Sequence, residues 1–189
     1  MPLAPLDEKV ALIVVDLQVA TAPRMEQDTL ERVVANTNML AAAFRASGQP
    51  VVIATVSGSV PGRTEMTKAH GVSTVPAGGD APLPSLVTDA ADIRIRRAPW
   101  SAFAGSDLHD QLSRRGVTQV VVTGVTTSIG VESTARDAYA LGYSVALPTD
   151  AVMDFRPDVG AAHLAQIVPL LAEVTTTEEL VAALGASGR

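Results

Sequence analysis

The sequence has no cysteine, and among its 189 residues it has one Trp, two Tyr and three Phe. Without cysteine there can be no disulfide, no thiolate metal site and no cysteine nucleophile. With so few aromatic rings, the core has to be built from Ala, Val, Leu and Ile. Positive charge is also scarce. The 14 Lys and Arg against 20 Asp and Glu leave a net charge of −6, so the basic footprint of a nucleic-acid binder is absent. No apolar run reaches the roughly 20 residues of a membrane span, and no membrane partner is expected. Met1 to Lys9 lacks a basic segment followed by an apolar one, so no signal peptide is visible and a cytoplasmic location is the expectation. His70, His109 and His163 are scattered without metal-ligand spacing. No metal or other cofactor is therefore expected, and His109, beside Asp110 in a helix, reads as a surface residue.

What is present suits one folded domain over 1–189. Hydrophobic residues make up 47% of the chain and charged ones 18%, which excludes intrinsic disorder. Val10 to Val15 is an unbroken apolar run ending at Asp16, as expected of a strand buried on both faces. A helix is predicted over 28–47, with Asp28 as its cap and Gly48 as its stop. Further strands are predicted at 50–55, 92–97 (more polar, an edge), 119–123, 143–147 and 173–175. Helices are predicted at 106–115, 131–141, 160–171 and 177–184. The stretch 57–86, rich in Gly and Pro (Pro61 among them), shows no periodicity. It reads as a long loop that covers a site or meets another subunit, the alternative being a merely disordered loop.

Strands alternating with helices give right-handed βαβ units and a parallel sheet with helices on both faces, a three-layer α-β-α sandwich. Ligands bind such sheets beyond the carboxyl ends of the strands. The candidates there are Asp16 and Gln18, Thr55 and Ser57, Arg96 and Arg97, the stretch Gly124 to Gly130, and Asp150. Asp16, at the mouth of a buried strand, could exchange protons near neutral pH or could brace the loop after it. The amides of the stretch around Thr126, Thr127, Ser128, Ile129 and Gly130 could cradle an oxyanion or could simply start a capped helix. Arg96 and Arg97 could hold a carboxylate, pair with Asp16, or be solvated. Trp100 and Phe103 could wall a pocket or pack into the core.

Three blocks, Ala11 to Gln18, Trp100 to Leu108 and Val122 to Ala138, together with Gly142-Tyr143, Asp150-Ala151 and Glu173 to Thr177, resemble the isochorismatase-like hydrolase superfamily over nearly the whole chain. The resemblance implies a six-stranded, mainly parallel sheet in the Rossmann-like order 3-2-1-4-5-6, assembled as a homodimer or homotetramer around a small-molecule substrate. The thiol branch of that superfamily uses an Asp, a Lys and a Cys. The Asp position falls on Asp16. The Lys position, six residues before Phe103, falls on Arg97. The Cys position falls on Gly130, which has no side chain to attack with.

Covalent thiol catalysis is thereby excluded, and true isochorismatases, which are similarly substituted, offer the alternative of vinyl-ether hydrolysis with Asp16 moving the proton. Arg97 cannot shuttle a proton; it could hold Asp16 ionised, which would favour a base or binding role. On this resemblance Asp16, Arg97 and Gly130 are the catalytic positions. Gln18, Trp100, Phe103, Thr126, Thr127, Ser128 and Ile129 are the substrate-binding ones, and the Val125–Thr126 peptide is expected to be cis. The metal-binding Asp-x-His element of nicotinamidases has no counterpart after Thr55. The sequence favours a non-thiol hydrolase of a small anionic metabolite, isochorismate being the best-defined candidate. The alternatives are a silent binding or assembly protein on the same fold and a ring-opening or isomerising enzyme.

Overall fold

The computed structural model describes residues 4–59, 62–72 and 74–187; Pro61 of the long loop lies outside them. The strands are β1 (Val10–Val15), β2 (Val51–Val56), β3 (Ile93–Arg97), β4 (Gln119–Val125), β5 (Ser144–Pro148), β6 (Val152–Met153) and β7 (Glu173–Thr175). The helices are α1 (Gln27–Ala46), α2 (Glu65–His70), α3 (Leu108–Ser113), α4 (Glu132–Ala140), α5 (Pro157–Gln166) and α6 (Thr177–Ser187). The sheet runs β3-β2-β1-β4-β5-β7 with every pair parallel. The predicted order therefore holds along the main path, with β3 at an edge as expected.

Because side chains alternate across a strand, β1 feeds two cores. Val10, Leu12 and Val14 face one layer, formed by α1 and α6, with Phe44, Leu40 and Leu180 among its fully buried members. Ala11, Ile13 and Val15 face the other, where Leu108 and Leu112 of α3 and Ala135 and Ala138 of α4 pack. On α1 the buried residues Leu30, Val33, Val34, Thr37, Leu40, Ala41 and Phe44 follow the helical period. No helix among the described residues is long and apolar enough to cross a membrane.

Four expectations need correction. The sheet has seven strands, not six: β6 pairs with β4 at Gly124 and Val125, beyond the point where β5 leaves it. Two residues are too few to show a period. The loop 57–86 is not free of regular structure, since α2 forms within it. Its six residues bury no side chain, so no apolar pattern marked them. A capping box holds them instead, with Thr64 Oγ1 accepting from the Thr67 amide and Thr67 Oγ1 from the Thr64 amide. The cap of α1 is Glu26 rather than Asp28, its carboxylate accepting from the Asp28 and Thr29 amides at 3.0 and 2.8 Å. The helix predicted over 160–171 begins three residues earlier, at Pro157, and ends at Gln166. A 3-10 turn (Val168–Leu170) follows it.

Two backbone features bring the strand ends together. Gly124 has φ +109°, and a Cβ there would stand 2.0 Å from the Val15 carbonyl oxygen, so β1 and β4 close on each other only with glycine at this position. Asp16 has φ +52°, a left-handed conformation that Asp tolerates better than most residues. It turns the chain sharply as soon as β1 ends.

Candidate active site

Asp16 is 8% exposed and Arg97, from the end of edge strand β3, is 3% exposed. The two form a planar fork: Arg97 Nη1 donates to Asp16 Oδ1 at 2.8 Å and Nη2 to Oδ2 at 3.0 Å. Nη2 also donates to the Trp100 carbonyl at 2.7 Å, while Nε is buried without a partner among the described residues. Burial pushes the Asp16 carboxyl above its usual range. The hydrogen bonds and charge of Arg97, and the Val56 amide, oppose the rise without cancelling it. The pairing of Arg97 with Asp16, one of the options the sequence left open, forms. The neighbouring Arg96 is exposed and pairs with Asp80 instead.

Gly130 faces this fork. A Cβ built on it would lie 3.0 Å from Asp16 Oδ2, 3.0 Å from Val15 Cγ1 and 3.3 Å from the Val125 carbonyl. It sits in a single π-helical turn, Thr127–Val131, that leads into α4 after a cis Val125–Thr126 peptide. The amides of this turn are not all free, as the cradle reading required. Ser128 donates its N–H to Asp154 Oδ2 at 2.8 Å and its hydroxyl to the same oxygen at 2.6 Å. The Ile129 amide donates to the Thr126 carbonyl at 3.1 Å. Thr127 Oγ1 is buried without a partner among the described residues. The Gly130 carbonyl accepts from Thr134 Oγ1 at 2.7 Å, and Thr134 Oγ1 in turn accepts from the Ala102 amide at 3.0 Å. The segment after β3 is thus tied to the turn carrying Gly130.

Other predicted site residues fall elsewhere. Gln18 is fully buried, and its amide is spent on the backbone. Nε2 donates to the Val56 and Gly79 carbonyls at 2.9 and 3.1 Å, and Oε1 accepts from the Val56 amide at 2.8 Å. It struts the 76–82 loop against β2 and offers nothing to a substrate. Phe103 belongs to the core, stacked on Tyr143 with centroids 5.8 Å apart. Trp100 is 62% exposed, close to the fork through its carbonyl. Asp150 caps α6 by accepting from the Thr177 amide and hydroxyl. His109 is only partly exposed and contacts the Tyr143 hydroxyl.

Sequence reasoning missed Asp154 and the trio Glu132, His163 and Arg136. The buried Glu132 carboxylate pairs with both His163 and Arg136, joining α4 to α5 behind the Gly130 turn. A signal for Asp154 existed. Ala151-Val152-Met153-Asp154 repeats in miniature the pattern of Val14-Val15-Asp16, an apolar stretch broken by Asp at a strand end. Two clefts, of about 600 and 630 Å³, open elsewhere, one beside Lys9, Arg45 and Asp92 and one beside Tyr139 and Leu170. Neither includes a residue of the Asp16 fork.

A parallel sheet whose strand ends bring an Asp, a buried cation and a tight turn together defines a class of α/β hydrolase scaffold. The isochorismatase domain matches residues 10–179, and the chain belongs to the isochorismatase family. It is 36% identical to the isochorismatase family protein YecD of Escherichia coli O157:H7, over 92% of this chain and 95% of that one. The solved isochorismatase family protein of Burkholderia thailandensis superimposes with a TM-score of 0.86 at 37% identity, covering 95% of this chain and 97% of that one. A ureidoacrylate amidohydrolase, RutB of Pseudomonas syringae pv. syringae, is 29% identical over 83% of this chain and 76% of its own length. The chain is thus an isochorismatase-family hydrolase.

Proposed function

We propose that this hydrolase acts on a small anionic vinyl ether of the isochorismate type, with Asp16 as the proton-transfer residue and no covalent enzyme intermediate. The observation that carries this reading is the Asp16–Arg97 fork facing a glycine. A carboxyl with a raised pKa stands at the position where a thiol would need room, and no nucleophile accompanies it. Protonated Asp16 would deliver its proton to the terminal methylene carbon of the enol ether, leaving an oxocarbenium ion beside the Asp16 carboxylate, which stabilises it. Water adds to that cation and returns a proton to Asp16. The resulting hemiketal collapses to pyruvate and the ring alcohol, so one water is consumed and the enzyme is restored. Trp100, whose carbonyl accepts from Arg97 at the fork, and Thr127, in the turn that carries Gly130, would contact the substrate.

Arg97 serves two purposes in this scheme. Its planar donors fix the carboxyl plane, and its unvarying charge stabilises the carboxylate that proton delivery leaves behind. The match of the isochorismatase domain over residues 10–179 supports trying isochorismate first. The test is pyruvate release from isochorismate in a coupled assay, with wild type and Asp16→Asn side by side. Release that depends on Asp16 supports the reading. No release from folded wild-type protein removes it and favours a binding role on the same scaffold.

A further inference from the structure

Two arginines at the same end of the sheet share one aromatic ring. The Arg24 guanidinium carbon lies 4.4 Å from the centroid of Phe155 and that of Arg156 lies 5.1 Å from it, so the two cations are at most about 9.5 Å apart. Both side chains are exposed, and among the described residues neither guanidinium has a hydrogen-bond or ion-pair partner. Each gains something from the ring face, but like charges so close repel. In a chain of net charge −6, two uncompensated cations gathered on one ring are not accounted for by folding. The acids nearby are committed or apart. Glu26 caps α1, Asp154 holds Ser128, and the exposed Asp158 makes no ion pair with either arginine.

Both arginines hang from the loops of the candidate site. Arg24 ends the 3-10 turn Ala22–Arg24, which follows Thr21, whose hydroxyl donates to the Asp16 carbonyl at 2.7 Å. The Arg156 amide donates to Asp154 Oδ1 at 3.0 Å, while the other oxygen of that carboxylate holds Ser128 in the turn that carries Gly130. Only a few residues of chain, at about 3.3–3.6 Å each when extended, separate either arginine from the loop it shares with the site.

We infer that Arg24 and Arg156, spread on Phe155, form an anion subsite at the rim of the candidate active site and take a carboxylate of the substrate remote from the bond that is cleaved. The substrate is then a small dicarboxylate, with one anionic group beside the fork and one at the rim. The guanidinium suits this task because its planar donors match a carboxylate edge on. The inference rests on the reading of Asp16 and Gly130 as the reacting centre.

The test is calorimetric titration at low salt with isophthalate, a dianion, and benzoate, a monoanion, used as probes of the free site. Wild type is expected to bind isophthalate roughly tenfold tighter than benzoate, the ratio one well-placed charged contact supplies. Arg24→Gln/Arg156→Gln is expected to lose that preference while keeping its affinity for benzoate, and Arg24→Lys/Arg156→Lys to keep most of it. With isochorismate, the Gln variant should show a raised KM at an unchanged kcat. A wild type that does not favour isophthalate, that binds neither probe, or whose preference survives in the Gln variant overturns the inference. If the preference is present and arginine-dependent while no pyruvate is released, the subsite stands and the vinyl-ether reading falls.

Discussion

Gly130 lies so close to Asp16 that a single added methyl would reach its Oδ2 at 3.0 Å. The glycine therefore gives the Asp16–Arg97 fork the room it occupies. A side chain at this position would require Asp16 Oδ2 and Val15 Cγ1 to give way by a few tenths of an ångström.

Gly130→Cys should accordingly cost stability without adding an activity. The new Cβ meets Asp16 Oδ2, Val15 Cγ1 and the Val125 carbonyl at 3.0–3.3 Å, and crowding of this kind costs about 1–3 kcal/mol. Thermal unfolding should show the loss. No amide substrate should be hydrolysed, because the guanidinium of Arg97 cannot serve the proton-exchanging role of the Lys it replaces. Wild-type activity should be indifferent to iodoacetamide.

Asp16→Asn should abolish the proposed proton transfer, lowering kcat by about 100- to 10,000-fold, while the amide oxygen still accepts from Arg97. Both variants leave the buried guanidinium without a counter-charge, at about 3–5 kcal/mol, and Asp16→Ala goes further by removing the hydrogen-bond acceptor as well. Comparing the two by pyruvate release and by denaturant titration separates chemistry from folding.

The pH dependence should have two opposite limbs. Glu26, Asp80 and Glu179 are held below the usual carboxylate range, chiefly by hydrogen bonds from Thr29, Arg96 and Thr175 respectively. Their contribution is present above the unfolded value, about 4, and is lost as pH falls through the lowered folded values. Asp16 is raised by burial, so its contribution is present below the unfolded value and is lost as pH rises through the raised folded one. Stability profiles should show Asp80→Asn flattening the acid limb and Asp16→Asn flattening the other. The proposed acid role also requires kcat/KM to fall as pH rises through that same raised value.

Gly124→Ala should fail to fold. With φ at +109° and the Val15 carbonyl oxygen 2.0 Å from any Cβ, the β1–β4 pairing has to break, a loss on the order of 4 kcal/mol or more. Soluble yield and circular dichroism decide it.

Gln18→Ala should loosen the 76–82 loop and leave the chemistry intact. Unpairing the Val56 amide and the Val56 and Gly79 carbonyls costs about 1–3 kcal/mol for each group left buried. Hydrogen exchange at Val56 and Gly79 should accelerate. An unchanged KM would separate this strut from a substrate contact.

Much of the scaffold was legible because long elements advertise themselves. The six apolar residues of β1 and the helical period of α1 needed no tertiary information. The Asp16–Arg97 pairing was legible as one of several options, since a carboxylate and a guanidinium at the same end of one parallel sheet, with only β2 between their strands, have few alternatives. What was hidden depended on partners distant in sequence. Gln18 was assigned to the substrate from its place after β1. Its true role is set by Val56 and Gly79, 38 and 61 residues away. Phe103 stood in a motif beside the site but follows a chain that dives into the core against Tyr143. β6 and α2 were too short for a period, and each exists because of a neighbour or a cap.

The sheet divides where β4 passes from β5 to β6. It pairs with β5 only through Val121 and with β6 at Gly124 and Val125, so the segment bearing Asp154, Phe155 and Arg156 leaves on its own branch. The register of the path from β3 to β7 does not run through that branch. Among proteins built on this plan, a change of diet can be written into one limb while the frame is inherited unchanged.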